Sequence, residues 1–332
     1  MPATTATNGS RRGGVDLGGT KIQTVVVDES NEVLGEARHP TPTEGGPQDV
    51  ADEIAATMRE ACEAAGLEPS ALAGIGLGSP GDADEKTGVV SAARNLPGWE
   101  GSFPLAEKLA DALGATVRIG NDVQVAVEGE FHLGAGREYD SILGVWWGTG
   151  VGGGLILEGR PWLGRGAAAE IGHIVVKQGG ARCTCGRKGC MEAYAGRGAM
   201  ELRARKKVEE GAKTDLFKIM EERGRDRLTS GIWERALKHE DKLATHLIDR
   251  AVKALGTGIA SAVNLIDPEA VIVGGGLGAR FGEDYVKRIA KEMQPHLFVD
   301  DRPPAMHVAQ LGDLGGAIGA ALLVRQTAAA TS

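Results

Sequence analysis

The sequence predicts an α/β protein built from two domains that close on a ligand. Three observations point there. The chain has 332 residues, room for about two domains at roughly 100–200 residues each. A strand, a glycine-rich turn and a second strand occur twice, at residues 14–28 and 143–158. After each hairpin, strand-like and helix-like stretches alternate, the pattern of an α/β fold. Hydrophobic residues make up 42% and charged residues 25%, the balance of a folded soluble protein.

The elements follow in order. Residues 1–13 lack the apolar core of a signal peptide and read as a disordered tail. "GGVDLGGTKIQTVVVDESNEVLGEARHPTP" reads as two strands joined at Gly18-Gly19-Thr20, a turn at Glu29-Ser30-Asn31 and a third strand. Strands without an intervening helix form an antiparallel meander. Residues 49–65 carry apolar groups at helical spacing, with Gly66 as the stop. "LAGIGLGSPGDAD" is a buried strand, "PLAEKLADALG" a helix ending at Gly114, and "ATVRIGNDV" a strand. "QVAVEGEFHLG" begins a further helix.

The second series opens with "SILGVWWGTGVGGGLILEGRP". A charged helical segment near residues 205–240 reads as surface. Then come the helix "KLATHLIDRAVKALGTGIASAVNLI", the strand "AVIVGGGL" and a helix from Phe281 to Met293. "GDLGGAIGAALLVRQ" reads as a small-residue helix able to pack closely on a neighbour. The expected division is a small domain of residues 14–121 plus 312–332 and a large domain of residues 122–311.

Composition narrows the partners. Net charge is −8 without a long basic run, which argues against nucleic acid. No stretch is apolar enough for a membrane span. The expected location is cytoplasmic, where thiols stay reduced.

Several short motifs carry chemistry. "DLGGT", Asp16 to Thr20, sets a carboxylate at a strand end before two glycines and a hydroxyl. Adjacent glycines let backbone N–H groups face an anion, and Asp16 is placed to hold Mg²⁺ through water. An ordinary hairpin turn fits the same five residues. "GTGVGGG", Gly148 to Gly154, is a second such turn, on the second half. It is not a dinucleotide fingerprint, because a strand rather than a helix follows it. "VGGGLG", Val273 to Gly278, follows a strand and precedes a helix, which lets adenine or ribose lie against backbone. "GND", Gly120 to Asp122, ends a strand and begins a helix. Asp122 there fits a general base, although on this string alone a helix N-cap is the commoner role. Glu170, His173 and Glu192 offer fixed hydrogen-bonding groups of the kind a polyol needs.

Three of the four cysteines crowd into "HIVVKQGGARCTCGRKGCME". In a reducing compartment, metal is favoured over a disulfide. Structural Zn²⁺ takes four N/S ligands. Cys183, Cys185 and Cys190 supply three, and His173 is the nearest histidine. The fourth cysteine, Cys62, sits in a helical stretch as a small buried apolar residue.

Together, "DLGGTK", "GND", "GTGVGGG" and above all "E-x-x-G-H … C-x-C-G-x-x-G-C-x-E" resemble the ROK family of sugar kinases and repressors, in its bacterial glucokinase-like branch. The resemblance runs from about Gly14 to Leu323, and the cysteine motif is its most specific part. It implies the actin-like, ribonuclease H-like fold, and an ATP- and Mg²⁺-dependent hexose kinase with structural Zn²⁺. It makes Asp122 the catalytic base and Asn121, Asp122, Glu170, His173 and Glu192 the sugar-binding residues. Asp16, Gly18, Gly19, Thr20, Lys21, Thr149 and Gly150 would surround the transferred phosphate, with Gly275 and Gly276 at the nucleotide. His173, Cys183, Cys185 and Cys190 would bind zinc. "NLPGWEG", Asn95 to Gly101, is similar to a loop of glucokinase-like members. The implied assembly is a homodimer or homotetramer. Other hexoses, a polyphosphate donor and a silent sugar-sensing regulator are the alternatives. The family's repressors carry a helix-turn-helix domain ahead of the first hairpin, and the thirteen residues before Gly14 leave no room for one.

Overall fold

A computed structural model describes residues 11–93 and 95–324. The chain divides into two compact units. The first ends at Leu133 and resumes at Leu311; the second spans Gly134–Gln310.

The first unit opens with β1 (Arg12–Leu17), β2 (Lys21–Val27) and β3 (Val33–Pro40). These form the expected antiparallel meander. Next come α1 (Pro47–Ala64) and β4 (Ile75–Ser79), then three short strands, β5 (Asp82–Asp84), β6 (Val89–Ser91) and β7 (Ser102–Phe103). Helix α2 (Leu105–Leu113), β8 (Val117–Asn121) and α3 (Asp122–Leu133) complete this stretch. The main sheet runs β3-β2-β1-β4-β8, with β1, β4 and β8 parallel. Helix α1 buries Ile54, Met58 and Cys62 on this sheet, as its spacing requires. Gly114 ends α2 in the left-handed region, the usual role of a glycine there.

The second unit begins with β9 (Ile142–Trp147), β10 (Val151–Leu157) and β11 (Arg160–Pro161). The helices α4 (Glu192–Ala195), α5 (Arg197–Glu209), α6 (Leu216–Glu222), α7 (Ser230–Lys238) and α8 (Lys242–Ile266) follow. Strand β12 (Ala270–Gly274), α9 (Gly275–Met293) and β13 (Ala305–Val308) close the unit. Its sheet runs β11-β10-β9-β12-β13. The first three strands are antiparallel, and β9, β12 and β13 are parallel. The order and directions repeat those of the first sheet, so the twin glycine-turn hairpins mark a repeated architecture.

The last helix, α10 (Gly315–Leu322), belongs to the first unit. It lies on β1 and β4 and against α3. A Cβ on Gly76 would sit 1.8 Å from the Ala320 carbonyl oxygen. Only a residue without a side chain lets backbone meet backbone this closely. The expected close-packing small-residue helix is thus present.

Four expectations need correction. All of α3 lies in the first unit, so the division falls at Leu133/Gly134 and Gln310/Leu311 instead of at 121/122 and 311/312. Arg12 and Gly13, placed in the tail, are strand residues. Arg12 is buried and donates to the Asp28 carbonyl and the Asn31 side chain, 2.8 and 2.9 Å away. Of the rest of the tail, Arg11 is exposed and outside any strand or helix, and residues 1–10 lie outside the described residues. The helix expected from Phe281 starts at Gly275 and is interrupted at Gly282; glycines at its start masked its pattern. The segment 205–240 is not all surface, since Leu216, Ile219, Leu228, Ile232 and Trp233 join the core of the second unit. Among the described residues, no helix is long and apolar enough to cross a membrane.

Candidate active site and metal centre

Asp122 is the first residue of α3, immediately after β8. The cap role is taken by Asn121, whose Oδ1 accepts from the N–H groups of Val123 and Gln124, both at 3.1 Å. Asp122 accepts from Val123 as well, at 2.9 Å. The start of α3 therefore does not depend on Asp122 alone for its cap. Position 78 on β4 must be small, because a Cβ there would meet the Val125 side chain at 2.7 Å and Asp122 Cα at 3.2 Å. That fit seats Asp122, half-buried, beyond the C-terminal ends of β4 and β8, the edge where open α/β sheets hold ligands.

The same edge carries the first glycine turn. Gly18 N–H donates to the Lys21 carbonyl at 2.9 Å, and Thr41 Oγ1 donates to the Gly18 carbonyl at 2.6 Å. Asp16, at the end of β1, has its carboxyl raised above the usual range: burial is the main cause, Lys21 opposes it and Asp313 adds to it. A Cβ on Gly316 would lie 2.8 Å from the Asp16 carboxyl carbon, so the first turn of α10 packs on this acid. Asn95, first residue of the glucokinase-like loop, packs on Gly19. The indole N–H of Trp99 in that loop donates to the Val90 carbonyl at 3.1 Å.

In the second unit, the equivalent turn joins β9 to β10. Gly148 N–H donates to the Gly150 carbonyl at 3.0 Å. Thr149 Oγ1 accepts from Arg197 Nη2 at 2.8 Å, and Arg197 Nη1 lies 3.4 Å from Ser230 Oγ. A Cβ on Gly276 would be 3.1 Å from the same Ser230 oxygen. Arg197 begins α5, Ser230 begins α7, and Gly275-Gly276 begin α9. Three helix N-termini and a guanidinium thus meet beside Thr149, an arrangement suited to anionic phosphate groups. Burial, then the neighbouring Arg227, hold the Arg197 pKa below its ordinary value. Sequence reading missed Arg197 because it belongs to no motif; only the fold brings it to the turn.

Glu192 joins this turn to the cysteine loop. Its Oε2 accepts the Val151 N–H at 3.0 Å and its Oε1 accepts from the Thr184 hydroxyl at 3.0 Å. A Cβ on Gly150 would meet Glu192 Oε2 at 2.4 Å. Glu170 lies on the other side of the loop, its Oε2 3.8 Å from His173 Nε2.

His173, Cys183, Cys185 and Cys190 come together with one donor atom each, all within 4.8 Å of one another. His173 Nδ1 lies 3.8 Å from Cys183 Sγ, and Cys185 Sγ lies 3.7 Å from Cys190 Sγ. Four ligands at about 2.3 Å from a tetrahedral Zn²⁺ stand about 3.8 Å apart. The sulfurs are far beyond the ~2.05 Å of a disulfide, and all are free. Short bridges Val175–Cys190 and Arg182–Lys188 fold the loop. Burial pushes the Cys183 thiol up to about 12, while the Arg187 backbone N–H draws Cys185 down. A divalent cation reverses the first tendency, since thiolate is its ligand. The donor set fits Zn²⁺. The fourth cysteine, Cys62, is buried and its thiol is pushed up to about 11 by that burial.

These sites occur in a chain with relatives of similar length. It is 35% identical to the glucokinase of Thermotoga maritima, over 81% of this chain and 83% of that one. It is 32% identical to an N-acetyl-D-glucosamine kinase of Pectobacterium atrosepticum, over 93% and 97%. Its fold matches a ROK family glucokinase from Streptomyces griseus, solved in complex with glucose and AMPPNP. There the TM-score is 0.80 and the identity 34%, covering 96% of this chain and all of that one. These neighbours are sugar kinases of the actin-like fold, which the two repeated sheets reproduce. Residues 12–327 match the ROK family as a whole, from β1 past α10, and the chain belongs to that family.

Proposed function

We propose that the protein is a glucokinase that transfers the γ-phosphate of ATP to the 6-hydroxyl of glucose. One observation carries this reading: the likeness to glucokinases, one of them solved with glucose and AMPPNP, spans nearly the full chain. Asp122 takes the proton of the 6-hydroxyl as its oxygen attacks the γ-phosphorus. The bond from that phosphorus to the bridging oxygen breaks, and ADP leaves. Asn121, Glu170, His173 and Glu192 hold sugar hydroxyls. Thr149, Gly150 and Arg197 hold phosphate oxygens, with Gly275 and Gly276 at the nucleotide. On the first turn, Gly18, Gly19, Thr20 and Lys21 face the transferred group. Phosphoryl transfer needs mainly positioning and charge stabilisation, and these groups provide both.

Two ions complete the reading. Mg²⁺ bound with the nucleotide supplies charge neutralisation, and Asp16 is the carboxylate that would hold it through water. His173, Cys183, Cys185 and Cys190 would hold Zn²⁺, which would supply a structural clamp of the loop.

The test is a coupled assay over a hexose panel with ATP and polyphosphate as donors. ATP with glucose should give the highest kcat/KM; a clear preference for polyphosphate overturns the donor assignment. A second reading, an N-acetylhexosamine kinase, draws on the relative from Pectobacterium atrosepticum, and the same panel decides it.

A further inference from the structure

Beside the cysteine loop, within the second unit, lies an open pocket of about 610 Å³. Lys177, Arg182, Arg203, Lys206 and Arg250 line it, and among the described residues no carboxylate does. This runs against composition, because acids outnumber bases in the chain, 45 to 37. Glutamates are near at hand; Glu210 sits beyond Lys206 and Arg203, its carboxyl held low chiefly by Lys207. None of them enters the lining. The floor is apolar and includes Tyr194, Met200 and Leu247. The Arg250 guanidinium carbon lies over the Tyr194 ring, 5.3 Å from its centre. This cation–π contact holds the guanidinium at the cavity wall. Tyr194 is itself held, its hydroxyl accepting the Ala181 N–H at 2.8 Å.

We propose that this cavity binds a small molecule carrying two or more phosphate charges, at a site separate from the one that carries the kinase reaction. The volume is that of a small-ligand site. Arginines and lysines without competing acids suit phosphate groups. The apolar floor leaves room for an organic part over Tyr194. A second copy of this chain centred on this face would set the same five cations against themselves across the two-fold axis.

The position gives the site an effect. Thr184 lines the cavity and donates to Glu192, and Tyr194 lies on α4 with Glu192. An occupant that draws Arg182 and Lys177 inward moves the loop that holds this sugar-binding acid. This last step rests on the glucokinase reading; the binding itself does not.

The experiment is equilibrium dialysis of the full chain with saturating AMPPNP and glucose. Two probes are compared, inorganic tripolyphosphate and fructose 1,6-bisphosphate. The parent should bind one equivalent of one or both, and the stronger probe tells an inorganic from an organic occupant. Arg203→Glu with Lys206→Glu should weaken that binding at least tenfold. Lys177→Glu with Arg182→Glu, on the opposite wall, should do the same, so a folding fault in one pair does not decide the matter. All four side chains are exposed or half-buried. The proposal is overturned if the parent binds neither probe at millimolar concentration. It is equally overturned if both pairs bind as the parent does. None of these outcomes requires turnover, so failure here is distinct from failure of the kinase reading.

Discussion

Asp122 and Arg197 show what a single residue contributes and how differently each is read. Asp122→Asn preserves size and the bond to Val123, and Asn121 caps the same turn. The variant should fold and bind glucose as the parent does, while kcat drops on the order of 10²–10⁴-fold. Turnover within tenfold of the parent would place the base elsewhere. Arg197→Met removes the donor to Thr149. Hydrogen bonds from a charged group contribute about 1.5–3 kcal/mol, so KM for ATP should rise about tenfold or more with glucose affinity unchanged. Calorimetric titration of each substrate checks this, and an equal loss for both would mean general misfolding. The place of Asp122 between a strand and a helix was legible because a short string announces that junction. Arg197 was not, because its partner Thr149 is 48 positions away and only the β9–β10 turn brings them together.

At the scale of elements, the cysteine loop and the β3–α1 surface each make a prediction. Cys185→Ser leaves three ligands of the four, too few for a closed zinc site. It should lose stoichiometric zinc, weaken glucose binding before ATP binding, and lower the Tm, because metal binding is coupled to folding. Elemental analysis beside titration is the check, and a zinc-free variant that binds glucose normally refutes the coupling. His39 lies between Glu53 and Glu60, at 2.5 and 2.7 Å from its two ring nitrogens. The bond to Glu60, then that to Glu53, raises its pKa. A raised pKa stabilises the fold fully below the unfolded value of about 6.5, and that gain fades as pH climbs through the folded value. His39→Gln should therefore lower the Tm most near pH 6 and progressively less above pH 6.5. The expected cost is at most about 1 kcal/mol, because the ring is partly exposed and screened. A deficit independent of pH would remove the charge from the account. Most elements were visible as period-2 or helical patterns. The strands β5, β6 and β7 were not, being two or three residues long. The start of α9 was hidden by its glycines, and 205–240 looked polar because its buried positions are widely spaced.

For the whole molecule, the fold class was legible because the same hairpin-led plan is written twice. The boundary was not, since the fold assigns α3 by what packs on it, and α10 arrives from the far end of the chain. A chain ending at Gln310 lacks that helix. Amide hydrogen exchange should then show β1 and β4 deprotected while β9 and β12 keep their protection; full protection of β1 would mean that α10 is dispensable. The backbone contact of Ala320 with Gly76 also has a consequence in time. During synthesis the ribosome releases the strands of the first unit early, but their covering helix last. All of Gly134–Gln310 is made in between, which takes on the order of ten to thirty-five seconds at about 5–20 residues per second. Through that interval an apolar sheet face, including Val25 and Val27 that α10 later covers, waits in water. The nascent first unit thus stays incomplete until its last helix is made, whereas every strand of the second unit is present once Gln310 has emerged.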